Sequence, residues 1–114
     1  MGIETTETMT KGVLVLAIKT ARLDASNSPD LRLLLLERIE QGQGYIVLDL
    51  AAVGFMDSSA LGALIAAIKR MGTVGMIGIA RPTPTVARLL TLTRMDKVFT
   101  IAPSVEDAVA KIAD

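Results

Sequence analysis

The chain has 114 residues, 51% of them hydrophobic, with twelve basic and twelve acidic side chains and neither histidine nor cysteine. That length fits one domain, taken here as residues 1–114, with a core that needs no disulfide or metal. Without Cys or His there is no thiolate nucleophile, no Cys/His zinc site and no Ser-His-Asp triad, and a net charge of zero supplies neither the basic stripe of a nucleic-acid binder nor a polybasic membrane patch.

In chain order, the Thr-rich stretch from Glu4 to Met9 reads as an edge strand. Thr10-Lys11-Gly12 is a turn, and the β-branched run Val13 to Ile18 is a buried strand, so the two runs form a hairpin. Asn27-Ser28-Pro29-Asp30 opens a helix, with Ser28 as N-cap and Pro29 as its first residue. Leu31, Leu34, Leu35 and Ile39 share a face of that helix, and Gly42 and Gly44 end it. Tyr45 to Leu50 is a second apolar strand. Leu61, Leu64, Ile65 and Ile68 recur at helical spacing, which predicts a helix from Ser58 to Met71 stopped by Gly72. Val74 to Ile79 is a third strand. Thr83-Pro84 begins a helix with Val86, Leu89 and Leu90 inward, Val98 to Ile101 is a short strand, and Ser104 with Asp107 starts a final helix.

The longest apolar runs, Leu33–Leu36 and Ala60–Ile68, fall well short of the ~18–20 residues of a membrane span. The first five residues are acidic and polar, unlike a signal peptide. The expectation is a soluble cytoplasmic protein with no direct membrane contact. From Ser28 onward helices and strands alternate, which predicts an α/β domain with a mixed, mostly parallel sheet, an N-terminal hairpin and about four helices. In such sheets partners meet the loops beyond the carboxyl ends of the strands. Three loops qualify: Arg22 to Asn27, Val53 to Ser59, and Ala80 to Thr83. The middle one carries Asp57-Ser58-Ser59 between an apolar turn and an apolar helix. On local grounds alone, a plain helix cap and a functional hydroxyl are both open readings. Gly42-x-Gly44, Gly75 and Gly78 lack the Lys-Ser/Thr of a phosphate loop.

The string Ile46-Val47-Leu48-Asp49-Leu50-Ala51-Ala52-Val53-Gly54-Phe55-Met56-Asp57-Ser58-Ser59-Ala60-Leu61-Gly62 resembles the signature of STAS-domain anti-sigma-factor antagonists. Ala21-Arg22-Leu23-Asp24 is similar to that family's G-x-L-D turn, Pro82 through Val86 to its S-P-x-V helix start, and Met95 through Phe99 to its late G-L-x-x-V/I-F segment. The resemblance implies a STAS fold and a partner switch. The unmodified form binds an anti-sigma factor that is also a serine kinase, and so releases the sigma factor. Phosphorylation of the serine after the Asp, here Ser58, ends the binding, and a metal-dependent serine phosphatase resets it. ATP and magnesium belong to the partner, so no cofactor or metal is expected in this chain.

On this reading Ser58 is the phosphorylation site, with Ser59 as a second acceptor. Asp57 and Asp24 are polar partner contacts or local caps, and Arg81 sits on the same rim or is simply solvated. Phe55 and Met56 are either partner anchors or core packing. The chain departs from the family at Ala60, where a glycine is usual and a methyl meets any close-approaching partner, and at Ala21. Two other functions compete. One is the STAS subunit of a membrane lipid-transport complex. The other is an enzyme with Ser58 as nucleophile, weakened by the lack of a base beside it. The expected assembly is a monomer or weak dimer.

Overall fold

The computed structural model describes residues 2–113; Met1 and Asp114, the ends of the predicted domain, lie outside them. Strands β1 (Thr5–Thr10) and β2 (Val13–Ile18) pair antiparallel in unbroken register. They are joined through Lys11 and Gly12, both at positive φ, as a two-residue turn matched to strand twist requires. Next come β3 (Arg22–Leu23), α1 (Ser28–Glu40), β4 (Tyr45–Asp49), β5 (Phe55–Met56) and α2 (Ser58–Met71). The chain ends with β6 (Met76–Ala80), α3 (Pro84–Leu92), a 3-10 turn at Met95–Lys97, β7 (Thr100–Ala102) and α4 (Val105–Ile112).

The main sheet has the order β1-β2-β4-β6-β7, and every pair beyond the hairpin is parallel. The predicted mixed, mostly parallel sheet with an N-terminal hairpin and four helices is the observed architecture. Alternation along the strands sorts the two faces. Leu14, Leu16, Ile18, Ile46, Leu48, Ile77 and Ile79 meet Leu31, Leu35, Leu61, Leu64, Val86 and Leu90 from α1, α2 and α3. Val13, Val15, Val47 and Ala102 turn the other way, onto Ala108, Val109 and Ile112 of α4.

Several boundaries shift. The first helix is capped by Asn27 rather than Ser28, with no side-chain bond to the helix end. Asn27 instead accepts from the Asp24 N–H at 3.0 Å and donates to the Arg22 carbonyl at 2.8 Å. The third long strand starts at Met76, not Val74: Gly75 lies against Gly44, and a Cβ there would clash with the Gly44 carbonyl oxygen. The last strand is Thr100–Ala102; Val98 and Phe99 belong to the turn before it.

Candidate partner-binding and modification site

The parallel order of β2, β4 and β6 brings the three predicted loops to one edge. A feature invisible in the sequence binds two of them together. The two-residue strands β3 and β5 pair in parallel, Arg22 with Phe55 and Leu23 with Met56. The N–H groups of Gly54 and Phe55 both donate to the Ala21 carbonyl, at 2.9 and 3.2 Å, and the Asp57 N–H donates to Leu23 at 3.1 Å. The third loop joins through Thr83, whose hydroxyl donates to the Val53 carbonyl at 2.8 Å. Asp24 and Asp57 each follow a member of the paired strands, so they emerge side by side.

Each aspartate organises a turn of the same design. Asp57 has the extended backbone of an N-cap. Its Oδ1 accepts from the Ser59 N–H at 2.9 Å, the Ser59 hydroxyl at 2.6 Å and the Ala60 N–H at 3.1 Å. The Ser59 hydroxyl, the backbone of Ala60 and Ser59, and the N–H of Ala25 from the neighbouring loop together hold its carboxyl below the usual pKa, against the opposing effect of burial. Asp24 Oδ1 accepts from the Ser26 hydroxyl at 2.6 Å and the Ser26 N–H at 3.0 Å. These bonds, with Arg22 3.7 Å away, depress its pKa although Asp57 pushes it upward.

The two serines after Asp57 differ. Ser59 is half-buried and its hydroxyl is taken up by the cap. Ser58 is exposed at the first position of α2, and among the described residues its hydroxyl has no protein partner. Arg22 lies beside this edge with its guanidinium 4.1 Å above the Phe55 ring, a cation–π contact that fixes both side chains at the rim.

Two residues expected at a partner surface are inside. Met56 is 4% exposed and Ala60 0%. Met56 and Ala60 both belong to the main core, so neither side chain is available to a partner and the Ala60 departure adds no bulk to the surface. Phe55 is half-buried. Arg81 is on the rim but engaged: it donates to both oxygens of Asp49 at 3.0 and 2.6 Å. Asp49 is 6% exposed. Burial pushes its pKa up, but the Arg81 bonds, the Ala51 N–H and the Arg81 charge outweigh it and the net shift is downward. Sequence reasoning passed over Asp49 as a site-forming residue. The available signal was a lone carboxylate inside an apolar strand, which must find a partner once buried.

The sequence pattern of the STAS domain matches residues 5–108, and the chain belongs to that family. Among solved structures, it is similar to an anti-sigma factor antagonist from Mycobacterium paratuberculosis, with a TM-score of 0.88 at 28% identity over 98% of this chain and 95% of that one. The phosphorylated form of the Bacillus cell fate determinant SpoIIAA matches with a TM-score of 0.70 at 22% identity, over 95% of this chain and 98% of that one. The fold also recurs within the murine anion transporter solute carrier 26 family member A9, with a TM-score of 0.72 at 18% identity, over 91% of this chain but 18% of that one. Among the described residues no helix is long and apolar enough to cross a membrane.

Proposed function

We propose that this protein is an anti-sigma factor antagonist that acts by partner switching in the cytoplasm, as a binding module and not an enzyme. The unmodified form binds an anti-sigma factor that is also a serine kinase. Phosphorylation of Ser58 ends the complex, and a serine phosphatase restores it. The observation that carries this reading is the contrast at the start of α2. One serine hydroxyl is consumed by the Asp57 cap while its neighbour stands exposed on a rigid edge. A kinase needs an accessible hydroxyl on backbone it can hold, and Ser58 meets that requirement where Ser59 does not. The likeness to an antagonist, and to SpoIIAA in a phosphorylated form, supports the same assignment. Asp24 and Asp57, both half-buried, stand on the same edge, so a phosphate on Ser58 would add to the negative charge of the contact edge.

The test uses the purified chain with its cognate kinase and ATP. One phosphate is expected, located at Ser58 by mass spectrometry. Ser58→Ala retains the anti-sigma partner in the presence of ATP, and Ser58→Glu binds at least about tenfold more weakly, a loss of about 1.4 kcal/mol. Phosphorylation of Ser58→Ala to the wild-type extent would show that another residue is the acceptor. The recurrence of the fold in a membrane transporter favours one second reading, a STAS subunit of a membrane transport complex. Affinity purification separates the two: a transporter ATPase recovered without any kinase-like protein supports the second.

A further inference from the structure

We infer that a second copy of this chain docks on the outer edge of β1, joining two five-stranded sheets into one. β1 pairs with β2 on one side and, among the described residues, has no strand on the other. A free edge is an aggregation hazard that proteins usually blunt with proline, lysine, a bulge or short length. The opposite edge, β7, is three residues long and followed by Pro103. β1 has none of these devices. It is six residues, Thr5-Thr6-Glu7-Thr8-Met9-Thr10, without proline, lysine or a break in register. Its one charge is tied back: both Glu7 oxygens accept from Arg38 of α1, at 2.9 and 2.7 Å. Met9 is 54% exposed on the same face.

The ladder fixes which groups are free. The Lys19 N–H donates to the Glu4 carbonyl, so by the alternation of an antiparallel pair the even-numbered residues of β1 face β2. The N–H and C=O groups of Glu7 and Met9 therefore point outward. A second β1 related by a two-fold axis normal to the sheet runs antiparallel and keeps the faces matched. With Thr8 on the axis, Glu7 lies opposite the second copy's Met9 and exchanges backbone bonds with it, twice over. Thr6 lies opposite Thr10 and Thr8 opposite itself, pairs of a kind that stabilise sheets. Of the two registers one step away, the one with Glu7 on the axis places two Glu7 carboxylates face to face, which that rule disfavours. The one with Met9 on the axis sets Glu7 against Lys11, whose left-handed backbone in the turn cannot continue a ladder. Reversal of the strands about the axis sends the two Ser58 edges to opposite ends of the joint sheet. Both remain open, so the dimer is bivalent for its partner.

Light scattering across a concentration series tests this. The weight-average mass rises from 12.1 kDa toward twice that value between about 10 µM and 1 mM, the range suited to a small, mostly polar interface. Over the same series the amides of Glu7 and Met9 gain protection from hydrogen exchange. Met9→Pro removes an outward donor without touching the β2 ladder, and Thr8→Lys sets two ammonium groups opposite each other on the axis. Both stay at the monomer mass, whereas Met9→Lys, facing Glu7, associates at least as well as wild type. A wild-type chain that remains monomeric at 1 mM overturns the inference, and so does a Thr8→Lys protein that is folded by circular dichroism and associates like wild type.

Discussion

Two neighbouring serines follow Asp57, and a single carboxylate decides their different fates. By accepting from the Ser59 hydroxyl and from two N–H groups of α2, Asp57 satisfies donors that a helix start otherwise leaves open. Asp57 is therefore a positioning residue for the edge, whatever it also does for a partner. All of these donors favour the ionised carboxylate, so its pKa in the folded chain lies below the ordinary 3.8. The native state then binds fewer protons than the unfolded state as pH drops past that value. The Asp57 contribution is complete above about pH 4 and is lost as pH falls through the lower folded pKa. Asp57→Ala is expected to lower Tm by a few degrees at pH 7, with the gap to wild type closing progressively below about pH 4. Thermal unfolding of both proteins from pH 7 to pH 2.5 measures this. A gap that stays constant over the whole range would show that the ionised cap contributes nothing.

At the scale of elements, two glycines make opposite predictions. Gly75 sits where β6 enters the sheet against Gly44, and a methyl there collides with backbone. Gly75→Ala is expected to cost about 1–3 kcal/mol by overpacking, read from denaturant unfolding. Gly62 lies inside α2 with open space beside it, one helical turn after Ser58 on the same exposed face. Gly62→Ala is expected to stabilise the chain by about 0.5–1 kcal/mol through helix propensity. It would also place a methyl on the surface proposed for the partner. A stabilised variant with weakened partner binding is the expected pair of results, and unchanged binding would remove this face of α2 from the interface. These elements also show what could be read in advance. The limits of β2 and α2 were legible because six apolar residues in a row and a clean helical period leave few alternatives. The β3–β5 pair was not, since two residues have no period and their partners lie 33 positions apart, Arg22 to Phe55. For the same reason Met56 and Ala60 could be placed near the edge but not inside it: the side of the chain that meets the core is set by that pairing.

For the whole molecule, the proposed switch requires that a dianion appear on the surface without disturbing the fold. The chain carries no net charge, so the phosphorylation proposed at Ser58 would act through local geometry rather than through general repulsion. At the first position of α2 the phosphate faces the positive end of the helix, where an anion is favoured by about 0.3–1 kcal/mol. The Asp57 and Asp24 carboxylates nearby oppose it. These two local effects act in opposite directions, and the core on either side of the sheet does not involve Ser58. The form phosphorylated at Ser58 should therefore unfold within about 5 °C of the bare one, since roughly 1 kcal/mol moves Tm by about 4–8 °C in a domain little larger than about 100 residues, while losing its proposed anti-sigma partner. Calorimetry of the two forms alongside a binding titration separates the cases. A large drop in Tm on phosphorylation would mean that binding is lost because α2 and its loop come apart, whereas an unchanged Tm with lost binding places the effect at the interface.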